Sequence, residues 1–351
     1  MTAGAPTRLY LGCYTAGSGC HGQGISVFER GEIDEPWRLE QVAGVSDPSF
    51  LALTEGAVHA VSETTAGRVV SFTVSAGQLV PASVAASGGS SPCHIALDPA
   101  SGAIVVANYG AGTLAVLSAD AFDEARVARV LPLPGGSGPV VDRQEGPHTH
   151  SVTATPWGTL LLADLGTDRL VEVRVDPITL EPHFVAVHPM PSGSGPRHLA
   201  WWGSSLLVAG ELDGRVHVMS YTDGVLEVDY SVASYDVRVN HGTGEALLSH
   251  IEVYHERVYV AVRGRDTVAV LAKPESAAPE TNRLTLVGEV PCGGRWPRHF
   301  AIAPSLEGAD LYVANQMSDT VSILALDAIT GIPRRAMSLI ETGSPSCVVF
   351  A

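Results

Sequence analysis

The sequence predicts an all-β fold: a seven-bladed β-propeller of four-stranded antiparallel blades, filling residues 1–351 as one domain. Three observations predict it. Val, Leu and Ala come in runs of four to seven residues, bounded by turn residues (37 Gly and 23 Pro in the chain), with no long helical pattern. A triplet recurs before an apolar strand at spacings of 44 to 56 residues, the range of propeller blades. The pattern also wraps from the end of the chain to its beginning.

The triplets are Pro48-Ser49-Phe50, Pro92-Cys93-His94, His148-Thr149-His150, Pro196-Arg197-His198, Leu248-Ser249-His250, Pro297-Arg298-His299 and Pro345-Ser346-Cys347. Each opens a first strand, and a turn, a second strand, a Gly- or Asp-bearing loop and a third strand follow. Val105-Val106-Ala107-Asn108 matches Tyr312-Val313-Ala314-Asn315, and Thr113–Leu117 matches Thr320–Leu324. A less regular fourth strand leads to the next triplet. The last unit stops after Cys347–Ala351, and the chain starts where that unit would continue, with Leu9–Cys13 and Gly24–Phe28. The C-terminal strand is therefore expected to pair with the N-terminal strands, closing the ring and removing exposed edges. Two inserts break the pattern, Leu131 to Gly146 and Pro274 to Asn282. The first runs into the His148/His150 triplet, which suits a lid or rim.

Composition narrows the function. A net charge of −16 argues against nucleic acid and anionic membranes as partners, because both need a basic surface. An anionic substrate would need a local basic pocket. Five cysteines, an odd number without CxxC spacing, read as free thiols in a reducing compartment. The N-terminus has no apolar signal core, and no run of about eighteen apolar residues could span a bilayer. A cytoplasmic protein, monomeric or weakly homo-oligomeric, is expected.

In a propeller the first strand lines the channel and the second runs back beside it, so two rings of side chains should meet at one mouth. The first ring is expected to be Phe50, His94, His150, His198, His250, His299 and Cys347. The second is expected to be Glu63, Asn108, Asp164, Glu211, Arg263, Asn315 and, after closure, Cys13. A repeated His can be scaffold, as in WD40-type blades. Arg197, Glu211 and Arg263 change the charge from blade to blade, which a scaffold would not require, and so point to chemistry.

Across its whole length the chain resembles the seven-bladed lactonase family, which includes one type of bacterial 6-phosphogluconolactonase and the fungal 3-carboxy-cis,cis-muconate lactonising enzyme. The resemblance lies in Tyr10–Thr15 with Gly24-Ile25, Gly146-Pro147-His148-Thr149-His150, Asp164-Leu165-Gly166-Thr167-Asp168-Arg169, Gly195-Pro196-Arg197-His198, Glu211, Arg263-Gly264, and Pro297-Arg298-His299 with Ala314-Asn315-Gln316. It implies catalytic roles for His150 (or its neighbour His148), Arg197, Glu211 and Arg263. Further substrate contacts are expected from His148, His94, Asp164, His198, Arg298, His299 and Asn315. Cys13, and Arg265 with Thr267, depart from the family pattern and bear on the choice of substrate.

The expected reaction is hydrolysis of a small anionic lactone, such as 6-phosphogluconolactone, without cofactor or metal. Arg197 and Arg263 would bind the anionic end or the oxyanion, and either Glu211 or His150 would activate water. No Gly-x-Ser-x-Gly elbow appears, and the cysteines lack a partnered context for nucleophilic attack. Three alternatives stand beside this reading: a muconate cycloisomerase using the same residues, a divalent-metal lactonase built on the His ring with Asp164 and Glu211, and a propeller that only presents a binding surface.

Overall fold

The computed structural model describes residues 7–120, 128–274, 283–336 and 338–351. Its strands pair into seven four-stranded antiparallel sheets. The innermost strands are Leu51–Thr54, Pro92–Leu97, Thr149–Ala154, Pro196–Trp202, Leu247–Tyr254, Pro297–Ser305 and Pro345–Phe350, and the blades are numbered one to seven in that order. Blade seven is composite. Pro345–Phe350 pairs with Arg8–Cys13, which continues into Ile25–Glu29 and Arg38–Ala43.

Burial explains the apolar runs. Ile104–Asn108 and Leu160–Asp164, both second strands, are buried at every position, because a blade has a neighbour on each face. The outer strand Gln78–Ala86 instead mixes exposed and buried positions. The core is a ring of seven interfaces with one apolar cluster each. Val105 and Leu114 of blade two meet Val152 and Leu162 of blade three, for example, and Leu207 and Val216 of blade four meet Val258 and Val260 of blade five. The remaining clusters join blades three to four, five to six, six to seven, seven to one and one to two.

Polar latches join blades at the channel end. Asp168, Asp266 and Asp319 adopt left-handed φ values of 52°, 57° and 53°. Their carboxylates accept hydrogen bonds from the backbone amides of Gly195, Trp296 and Ser344 at 2.8 Å. Each of these residues precedes the proline that opens the next blade. Asp168 also accepts from Gly193 N at 2.6 Å and from the Gln144 side chain at 2.7 Å.

Both inserts need adjustment. Leu131 and Pro132 belong to the fourth strand of blade two, Arg129–Pro132, so the loop proper begins at Leu133. It is anchored rather than loose: Gly138 N donates to Gln144 O, and the Gln144 side chain reaches Leu165 O as well as Asp168. In the second insert, residues 275–282 lie outside the described residues.

Candidate active site

The mouth is set by strand register. Pro92 pairs with Asn108, Thr149 with Asp164, Pro196 with Gly210, Leu248 with Val262, Pro297 with Asn315 and Pro345 with Cys13. A register shift follows each pairing on the first strand, as bulges do where a strand re-aims its side chains. Equivalent positions then follow. The channel position holds Phe50, His94, Ser151, His198, His250, His299 and Cys347. The residue before it, at the mouth, is Ser49, Cys93, His150, Arg197, Ser249, Arg298 or Ser346.

His150 therefore belongs with Arg197 and Arg298, not with the channel imidazoles. Thr149 stands where most sister blades have proline, so the third triplet is displaced by one residue. The second ring is displaced as well. The amides of Glu63, Tyr109, Glu211, Gln316 and Tyr14 donate to the carbonyls of Asp47, Ser91, Gly195, Trp296 and Ser344 respectively, which makes them one structural position. Arg263 is the fifth blade's counterpart. Asn108, Asp164, Asn315 and Cys13 lie one residue earlier and are buried. Successive strand residues face opposite ways, so a one-residue offset turns a side chain from the mouth into the blade.

The structure thus keeps Asp164 and Asn315 away from the mouth, contrary to expectation. Asp164 accepts from the His148 amide, the Thr167 hydroxyl and Arg169 Nε. Asn315 donates to Ser322 Oγ at 2.6 Å. His94, His198 and His299 line the channel with Phe50 and His250, their rings in contact at centroid distances of 3.9 to 5.8 Å. Burial, then neighbouring charge, lowers the pKa of all four channel histidines, to about 3 for His94 and His299. His198 Nδ1 lies 2.9 Å from His250 Nδ1, a contact that two neutral imidazoles make by sharing one proton.

The structure brings together His150, Arg197, Glu211 and Arg263. Glu211, 1% exposed, is the hub. Its Oε2 lies 2.9 Å from Arg197 Nε, 2.7 Å from Arg263 Nη2 and 3.9 Å from His150 Nε2. Arg197 also donates to Ser249 O, and Arg263 to Leu248 O. Burial alone would raise the Glu211 carboxyl, but Arg263, Arg197, His150 and Arg143 hold it well below the carboxylate range. Burial and the Arg197 charge push His150 well below the usual imidazole pKa, so it is neutral at pH 7. Glu211 Oε2 and Arg197 Nε are buried without an aligned hydrogen-bond partner.

Arg143, Tyr109 and Tyr14 were missed in the sequence. Arg143, from the loop between blades two and three, donates to Glu211 Oε1 at 2.5 Å. At 36% side-chain exposure it is the most open member of the cluster. Tyr109 stacks on His148 at 4.4 Å and meets His150 edge-on at 5.4 Å. His148 is a rim residue, held by Tyr109 O at 2.9 Å and Glu145 at 3.0 Å. Across the mouth Arg298 donates to the Tyr14 hydroxyl at 2.8 Å, which donates to Glu63 at 2.7 Å. Cys93 does have a partnered context: its Sγ lies 3.3 Å from His150 O and 3.7 Å from His150 Nδ1. Burial pushes that thiol far up, so it stays a neutral donor to the His150 carbonyl. Among the described residues no three His, Cys, Asp or Glu side chains converge as a metal ion would require. The cleft lined by Tyr254, Arg257 and Asp327 contains none of the mouth residues.

Fold and site define a propeller enzyme with a buried carboxylate among guanidiniums at its mouth. The family described as "Lactonase, 7-bladed beta-propeller" matches residues 8–350, and the chain belongs to it. The chain is 29% identical to a 6-phosphogluconolactonase of Bacillus subtilis (strain 168) over 359 aligned positions, covering 97% of each chain. A solved protein of Bacteroides fragilis superposes with TM-score 0.86 at 28% identity, covering 100% of this chain and 99% of that one. A periplasmic gluconolactonase of Pseudomonas aeruginosa superposes with TM-score 0.81 at 27% identity, covering 98% of both. The chain is a lactone-hydrolysing enzyme, a carboxylic-ester hydrolase, and the comparisons favour this over the cycloisomerase and binding-module readings.

Proposed function

We propose that the chain hydrolyses an anionic sugar lactone, 6-phosphogluconolactone foremost, with His150 as general base. One observation carries this reading: His150 Nε2 stands 3.9 Å from a carboxylate that is already committed to guanidiniums. The Glu211 carboxylate oxygens are engaged by Arg143, Arg197 and Arg263, whereas the His150 imidazole has no guanidinium among the described residues on its ring nitrogens and keeps a lone pair for the proton. His150 takes a proton from water as the water oxygen bonds to the lactone carbonyl carbon. The carbonyl oxygen becomes an oxyanion beside Arg197 and Arg263, in a site from which water is largely excluded. Collapse breaks the ring C–O bond, and His150 returns the proton to the leaving oxygen. Glu211 holds the two guanidiniums in place.

The charge of the mouth favours an anionic substrate. Arg143, Arg197, Arg263 and Arg298 gather there with Glu63 and Glu211, four of the chain's 21 basic residues in a protein of net charge −16. Arg298 donates to a tyrosine rather than to a carboxylate, which leaves its charge for a phosphate or carboxylate. Hydrolysis of 6-phosphogluconolactone and of gluconolactone, each followed above its spontaneous rate, tests this. The proposal expects kcat/KM to favour the phosphorylated substrate. Equal values would remove the anion preference, and no rate above background with either would remove the reading. The five unpaired cysteines support a reducing compartment, which fractionation of cells would check. No helix among the described residues is long and apolar enough to cross a membrane.

A further inference from the structure

We propose that Trp296 is a substrate-binding residue that selects the saturated ring of a sugar lactone, kept at a backbone position that disfavours its side chain. The proposal rests on the lactonase reading. Trp296 precedes the proline that opens blade six, and four sister blades show what that position demands. Asp47, Ser91, Gly195 and Ser344 adopt φ values of 45°, 50°, 57° and 44°, and Trp296 adopts 63°. This left-handed region suits Gly and tolerates Asp or Ser, but it is costly for a bulky side chain. The turn does not need the indole. Its shape is set by backbone bonds, with Trp296 N donating to Asp266 Oδ1 at 2.8 Å and Gln316 N donating to Trp296 O at 3.2 Å. Gly195 and Ser344 make the matching bonds without an aromatic side chain.

What the indole adds lies at the mouth. Its ring centre is 5.5 Å from the Arg263 guanidinium carbon, and Arg263 Nη2 is 2.7 Å from Glu211. The half-buried ring therefore covers one side of a site guanidinium, where a cation over an aromatic face is favoured and displaced water strengthens charge interactions. Its remaining surface offers C–H/π contact to a saturated sugar ring held by the arginines. Backbone strain maintained beside a reaction site is commonly tied to that site's work.

Trp296→Gly and Trp296→Phe separate the possibilities. Glycine should relieve the turn and raise Tm by roughly 1–3 °C. At 25 °C it should also lower kcat/KM for the sugar lactone about fivefold to tenfold, mainly through KM. Phenylalanine should keep most of the wild-type KM. A wild-type KM in Trp296→Gly, whatever its Tm, overturns the proposal. A wild type without lactonase activity overturns the reading beneath it instead, and a second measurement then judges Trp296 alone. Quenching of tryptophan fluorescence by 6-phosphogluconate should be present in the wild type and absent in Trp296→Phe, and quenching that persists in the variant overturns the placement.

Discussion

Glu211 shows how the mouth divides its labour. Three guanidiniums and one imidazole surround its carboxylate, and of these only Arg143 is substantially open to solvent. Arg143→Ala should lower Tm only slightly, since Arg197 and Arg263 still compensate the buried Glu211 carboxylate. It should raise KM about tenfold for a phosphorylated lactone, with little change for an uncharged one, as initial rates against both would show. The pH profile belongs to His150. Burial and Arg197 lower its pKa, so its neutral, basic form persists below pH 6.5. The acid limb of kcat/KM should therefore fall below that pH, with a plateau through pH 7 to 8; a limb centred at pH 7 or above would remove His150 from the role. Arg197, Glu211 and Arg263 were legible in the sequence because they break a repeat. Arg143 was not, because it comes from an insert with no counterpart in the sister blades. Glu63 and Arg298 were named from the repeat as well, but their link through Tyr14 was not, because residues 14, 63 and 298 come together only once the ring forms.

At the scale of the element, one bulge decides which side chains reach the mouth. The roughly fifty-residue period made the blade count and the composite closure readable. It could not place His150, because Thr149 replaces the proline that marks the register elsewhere, and only the pairing of Thr149 with Asp164 shows the shift. The Asp-Leu-Gly-x-Asp element looked like site chemistry. It is instead a joint, with Asp164 fixing the His148 amide and Asp168 fixing the turn before Arg197 and the loop that carries Arg143. Asp168→Ala should cost about 2–3 kcal/mol, because it leaves buried amides without an acceptor. It should also lower kcat/KM about tenfold by loosening two arginines at once, an effect of misplacement at a distance. Chemical unfolding and steady-state kinetics check both; unchanged kinetics with lowered stability would confine Asp168 to the scaffold.

The whole molecule is a ring closed around neutral imidazoles. His94, His150, His198, His250 and His299 all have lowered pKa values, by burial first and neighbouring charges second. The unfolded chain, with ordinary histidines near pH 6.5, binds more protons than the folded one from there down to about pH 3, the value for His94 and His299. Stability should be fully present above pH 6.5 and fall as the pH drops through that window. Urea unfolding between pH 7.5 and 4.5 should show a falling midpoint, lessened in His94→Asn; a midpoint independent of pH would contradict the linkage. The same overall charge that keeps the surface acidic makes the basic mouth the place where an anion gains most. The most direct test of the central claim is kcat/KM toward 6-phosphogluconolactone for the wild type and Arg197→Ala, measured beside their Tm values. The account predicts wild-type turnover well above the spontaneous rate and a loss of about a hundredfold or more in the variant, with the fold retained. Wild-type kcat/KM in a folded Arg197→Ala would contradict it.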